Sequence, residues 1–162
     1  MNALSYPATE SEAVLHREAP VGAQALALRF FELLNQREAR AALALFDPQA
    51  SIEIIPAAVR GMMAKEGRLF VDALLEAFPD LWIQVRSVME TEDLAVVEIK
   101  MEGTQATDFL GILNQEKHLD LDQAWMLWAV AGKLTGVRAY WCQNQLYRRL
   151  AVKRLDRVYI LG

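Results

Sequence analysis

At Pro79-Asp80 the hydrophobic period of this 162-residue chain changes from that of helices to that of strands, and this order constrains the fold more than any other feature. Upstream, Leu26, Phe30 and Leu33 recur at i, i+4 and i+7, and Phe31 and Leu34 widen the stripe, which predicts an amphipathic helix over Ala23 to Asn35. Arg37 to Leu45 is alanine-rich and predicts a second helix. It stops at Asp47-Pro48, because the residue before proline is pushed out of the helical region. Ser51 to Ile55 alternates as a short strand. Gly61 opens a third helical stretch, with Phe70, Leu74 and Ala77 on one face and its end at Phe78 before Pro79. Downstream, Trp82 to Val88, Leu94 to Met101, Leu119 to Val130 and Leu134 to Trp141 are β-rich and separated by turn signals. About three helices followed by a run of antiparallel strands predict an α+β domain with helices against one face of a curved sheet.

The length allows one domain. An apolar content of 54% supplies a core and excludes a disordered chain. Residues 1–20 read as an N-terminal tail or arm, 21–150 as the domain and 151–162 as a C-terminal extension. No run approaches the ~18 apolar residues of a membrane helix. The N-terminus carries Glu10, Glu12, Arg17 and Glu18 where a signal peptide would be apolar, so a cytoplasmic protein is expected. A single cysteine, Cys142, excludes an internal disulfide, and His16 and His118 lie far apart without neighbouring ligands, so neither a metal nor a cofactor is expected. The net charge of -4 is uneven, because residues 148–162 hold five basic side chains and one acidic. The basic stretch Arg148 to Arg157, interleaved with Leu150, Val152 and Leu155, suits a packed arm better than a nucleic-acid or membrane surface.

Three motifs carry a resemblance. They are Ala77-Phe78-Pro79-Asp80-Leu81; Gly103-Thr104-Gln105-Ala106-Thr107-Asp108-Phe109-Leu110-Gly111-Ile112; and Gly132-Lys133-Leu134 followed by Tyr140-Trp141-Cys142, Leu146, Arg148 and Leu150. Together with Leu34-Asn35 they make residues 23 to 150 resemble the SnoaL-like polyketide cyclase group of the nuclear transport factor 2-like superfamily. The resemblance implies a cone-shaped α+β domain whose curved antiparallel sheet and helices enclose an apolar pocket, commonly paired sheet to sheet as a homodimer. Members include cyclases, isomerases and proteins without catalysis, and the fold does not choose among them.

In such cyclases an aspartate near the end of the last strand acts as general acid/base, assisted by the histidine of a Gly-Thr-His segment. The matching positions here are Cys142 and Gln105. An amide cannot take a proton at neutral pH, and a thiol buried among apolar groups stays neutral. Alternation places Cys142, Tyr140 and Arg138 on one face of the last strand and Trp141, Ala139 and Val137 on the other. If the aspartate position faces the pocket, the first three offer a thiol, a phenol and a guanidinium to a ligand. Cys142 as a small core residue is the plainer reading. Asp108 matches a family glutamate and is the remaining carboxylate candidate, although an aspartate in such a loop is commonly a cap. Asp80 reads as a turn residue and His118 as exposed.

Relatives that isomerise steroids keep a tyrosine and two acids where this chain has Phe30, Ile54 and Trp125, which excludes that activity. Phe30, Ile54, Trp125 and Leu127 become candidate pocket walls, or else they fill the cone. Trp128 and Trp141 are expected to form an outward patch at a homodimer interface. Two functions follow. One is a cyclase, isomerase or dehydratase with an altered acid/base pair, using Asp108, Gln105, Cys142 and Tyr140 on a small apolar oxygen-bearing ring compound held by Arg138 and the apolar walls. The other is a non-catalytic ligand-binding or dimeric assembly module of the same fold.

Overall fold

A computed structural model describes residues 20–152. Its elements are α1 (Ala23–Asn35), α2 (Ala39–Leu43), β1 (Phe46–Ile54), β2 (Val59–Met62), α3 (Arg68–Ala77), β3 (Trp82–Glu90), β4 (Leu94–Thr104), β5 (His118–Val130), β6 (Lys133–Trp141) and α4 (Gln143–Leu150). The six strands make one sheet in the order β2-β1-β6-β5-β4-β3, with β2 and β3 left as edges. Neighbours are antiparallel except β1 and β6, which run parallel, a pairing the long connection between them permits. Register shifts in the β1–β6, β3–β4 and β5–β6 pairs go with the curvature of the unclosed sheet, since an extra residue bends its strand. The α+β expectation therefore holds, with one parallel pair inside the sheet.

The predicted stripe of α1 is its buried face. Leu26, Phe30, Phe31, Leu33 and Leu34 are all buried, and the helix packs on β3, β4 and β5. Burying each large side chain contributes about 1.5 to 3 kcal/mol, which explains why a 13-residue helix with no side-chain cap at its start is held.

Three boundaries differ from expectation. The second helix is Ala39–Leu43, because Arg37 turns the chain at φ 63° and its guanidinium donates to the carbonyl oxygens of Leu75, Phe78 and Pro79 at the end of α3. The first strand begins at Phe46 and contains Pro48, which falls in the irregular stretch between the Phe46 and Ser51 pairings, where no ladder donor is required. Gly61 does not open a helix. It sits in β2 opposite Ile52, and a π-helical turn, Met63–Gly67, leads into α3.

At the other end α4 covers the sheet with Leu146 and Leu150, both fully buried, and carries Arg148 and Arg149 in its last turn. The expected N-terminal tail up to residue 19 and the extension from residue 153, with the rest of the basic stretch, lie outside the described residues.

Candidate functional site

Alternation along β4, β5 and β6 sends Val97, Ile99, Met101, Leu121, Trp125, Leu127, Val137 and Ala139 to the helix-covered face. The four expected walls, Phe30, Ile54, Trp125 and Leu127, all lie in this core at 2% exposure or less. The rings of Phe30 and Trp125 join an aromatic cluster with Phe31 and Phe46. Phe30 packs against Phe31 at 5.3 Å and Phe46 at 5.4 Å between ring centres, and Phe31 meets Trp125 edge to face at 5.6 Å. The Trp125 indole donates to Gln123 Oε1 (2.7 Å), and Gln123 Nε2 points to Met101 Sδ (3.4 Å). Gln123 was missed by sequence reasoning. Its signal was available: a polar residue at an inward position between Leu121 and Trp125.

Gln105 follows β4 and is 1% exposed. Its backbone N–H donates to Lys117 O (2.9 Å) and its side-chain Nε2 to Ile112 O (3.1 Å), while Oε1 is buried and has no donor among the described residues. Over it lies a small turn in which Phe109 and Ile112 exchange backbone hydrogen bonds of 3.0 and 2.9 Å across Leu110 (φ 49°) and Gly111 (φ 77°). Two successive positive φ values are what a tight two-residue reversal requires. The turn drives Phe109 against Phe78 and Phe70, with ring centres 5.3 and 6.3 Å apart.

Asp108 is exposed on this loop. Its Oδ1 accepts from Asn114 N (2.8 Å), and Asn114 Nδ2 in turn donates to Ala106 O (2.8 Å), so the carboxylate organises the loop from outside. Asp80 accepts from Thr104 N at 2.7 Å. Burial pushes its carboxyl up, but the Thr104 hydrogen bonds and the charge of nearby His118 outweigh that and hold it below the ordinary 3.8. His118 is exposed at the start of β5.

On β6 the interior takes Val137 and Ala139, and Arg138 and Tyr140 stand on the outer face. This corrects the expectation that Arg138, Tyr140 and Cys142 face inward. The alternation was right, but burying a guanidinium is costly, and the outer face supplies its partners. Arg138 Nε lies 3.1 Å from Glu53 Oε1, an ionic contact without hydrogen-bond alignment, and the guanidinium stacks over Trp128 at 5.6 Å. Glu53 also pairs with Arg60 at 3.0 Å. Cys142 is exposed at the N-cap position of α4. Trp141 shares the parity of Ala139, packs partly buried against the core and donates to Gln143 Oε1 (2.8 Å), so it does not join Trp128 in an outer patch.

The arrangement thus brings Gln105, Phe30, Ile54, Trp125 and Leu127 into the interior and leaves Asp108, Tyr140, Cys142 and Arg138 outside it. Among the described residues the buried polar side chains are Gln105 and Gln123, and neither amide exchanges a proton near neutral pH. No group of His, Cys, Asp or Glu among them could hold a metal ion, and none of their helices is long and apolar enough to cross a membrane.

A family model described as SnoaL-like polyketide cyclase matches residues 24–150. Comparison with curated proteins finds no match. Among solved structures, a proposed SnoaL-like polyketide cyclase from Jannaschia sp. CCS1 superimposes with a TM-score of 0.73 at 21% identity, covering 85% of this chain and 98% of that one. A proposed polyketide cyclase from Pseudomonas putida KT2440 gives 0.70 at 18% identity, covering 81% and 99%. AclR, a proposed hydroxylase from Streptomyces galilaeus, gives 0.67 at 22% identity, covering 76% and 77%. At these identities the likeness is one of fold.

Proposed function

The chain belongs to the SnoaL-like polyketide cyclase family, and from that premise we propose that it is a binding member of the family, holding a small, mainly apolar, oxygen-bearing ring compound without acid/base catalysis. One observation carries the reading: Gln105 Oε1 is a buried acceptor with no donor among the described residues. Leaving such a group unpaired costs about 1 to 3 kcal/mol, and a ligand hydroxyl beneath the 105–117 loop would recover it. The amide next to it orients the loop through Ile112 O, so the acceptor is already aimed before a ligand arrives. Such a site selects a hydroxyl donor but moves no proton, since the groups able to do so, Asp108, Tyr140 and Cys142, are exposed. The same reading places the protein in the cytoplasm as a homodimer joined through the outer face of the sheet, where Val96, Met126 and Trp128 lie together.

Native mass spectrometry of the protein purified from its own host tests this. A co-purified compound bearing a hydroxyl, lost in Gln105→Leu, is the expected result. Turnover of a polyketide-type chain that disappears in Asp108→Asn would overturn the proposal in favour of a cyclase.

A further inference from the structure

A cleft of about 670 Å³ opens between α2, the start of β1, the π-helical turn and α3, with a lining that does not include Gln105. Its volume falls in the range of small-molecule sites, roughly 300 to 1,000 Å³. Leu43, Phe46 and Met63 give it an apolar floor. Phe46 is continuous with the interior, because its ring meets Phe30 edge to face at 5.4 Å. The rim carries two guanidiniums. Arg40 has no ion pair among the described residues, and Arg68 is held only loosely by Asp72, at 3.8 Å with both side chains more than half exposed. A good charge-assisted bond is about 2.7 to 2.9 Å, so Arg68 has a partner that a better-placed anion can replace. The other acid at the rim, Asp47, is turned onto the backbone and accepts from Gln49 N at 2.8 Å.

We infer that this cleft binds a small organic anion, a flat apolar ring bearing one carboxylate or sulfonate. The ring lies on Leu43, Phe46 and Met63, and the anionic group bridges Arg40 and Arg68. The π-helical turn helps to shape the site. It packs Met63 so closely on Gly67 that a Cβ at Gly67 would collide with Met63 Sδ, which sets the floor beside the first turn of α3. The proposal is independent of the ligand assigned to Gln105, and Gln105→Leu should leave it untouched.

Fluorescence titration with 8-anilinonaphthalene-1-sulfonate, and with the neutral N-phenyl-1-naphthylamine as its uncharged counterpart, tests both halves of the inference. Saturable binding of the sulfonate that weakens with added salt is expected. Arg40→Gln should weaken the sulfonate by about fivefold, as for a partly exposed ion pair, and leave the neutral probe unchanged. Asp72→Asn should tighten the sulfonate, because it frees Arg68 and removes a repelling charge. Ala64→Trp, which fills the cleft from its exposed rim, should abolish binding of both probes. Absence of saturable binding, an unchanged sulfonate affinity in both Arg40→Gln and Asp72→Asn, or retention of both probes by Ala64→Trp would overturn the assignment. Positions 40, 64 and 72 are exposed, so the variants are expected to fold, and thermal melts verify it.

Discussion

Asn35, the last residue of α1, and Ile83 on the edge strand β3 hydrogen-bond to each other in both directions: Asn35 Nδ2 donates to Ile83 O at 2.8 Å, and Ile83 N donates to Asn35 Oδ1 at 2.7 Å. A side-chain amide here imitates a neighbouring strand. It satisfies two backbone groups on an edge that would otherwise be open to another chain, and it fixes α1 against the sheet over a sequence separation of 48 residues. Asn35→Ala should therefore cost about 1 to 3 kcal/mol, since both Ile83 groups lose partners in a half-buried setting. Asn35→Asp should fall between parent and alanine variant, because it keeps the acceptor and loses the donor. Urea denaturation measures both, and an alanine variant as stable as the parent would show that water satisfies Ile83 equally well.

The Asp80 carboxylate ties the Phe78-Pro79 corner to the end of β4 through Thr104 N. Because its folded-state pKa is lowered from 3.8, the charged form is the one that stabilises the fold. That contribution is complete above the unfolded value and is lost as pH falls through the lower folded value. Parent and Asp80→Asn should thus differ in melting temperature at neutral pH, and the gap should begin to close below about pH 4. A gap that stays constant down to pH 2 would place the stabilisation in packing and not in charge.

Much of this architecture was legible because local chemistry and tertiary packing agree. The Leu26, Phe30, Leu33 stripe needed a sheet to cover it, and Pro79 could end α3 only where it does. β2 was not legible. Four residues at a sheet edge, Val59 to Met62, carry no period of their own, and the π-helical turn that follows mimics the start of a helix. On β6 the alternation is readable, and its direction is the reverse of the inward placement expected for Arg138 and Tyr140. Val137 and Ala139 are apolar and compact, whereas Arg138 needs Glu53 and Trp128, so side-chain chemistry alone pointed to the outward direction. Gln105 was legible as a candidate position, from the Gly103-Thr104-Gln105 segment. Its unpaired oxygen was not, because that depends on which way the Phe109–Ile112 turn folds over it.

Asp108 now has a structural role to test. Its Oδ1 accepts the Asn114 N–H as a cap does. Asp108→Asn keeps an acceptor and should change stability by less than about 0.5 kcal/mol, whereas Asp108→Ala should cost about 1 kcal/mol and loosen the loop. Hydrogen exchange at the amide of Asn114 reads the contact directly. Equal protection in parent and alanine variant would remove the cap.

The outer face of the sheet carries the last prediction. Register places Val96 beside Met126 and Leu94 beside Trp128 on β4 and β5, with Met89 next to Val96 on β3, and Met89 is 67% exposed. Arg138 stacks on Trp128 from β6, so an aromatic and its cation lie together at one end of an apolar stripe whose other end is charged by Glu98, Lys100 and Asp120. A contiguous apolar patch with a polar rim is the pattern of a protein interface. Two copies related by a two-fold axis would set one stripe against the other. Val96→Glu puts a charge at the middle of that contact while leaving the core face of β4 alone. Sedimentation should give a dimer for the parent and a monomer for the variant, with similar far-UV circular dichroism. A parent that sediments as a monomer at tens of micromolar would rule out this face as a self-association surface.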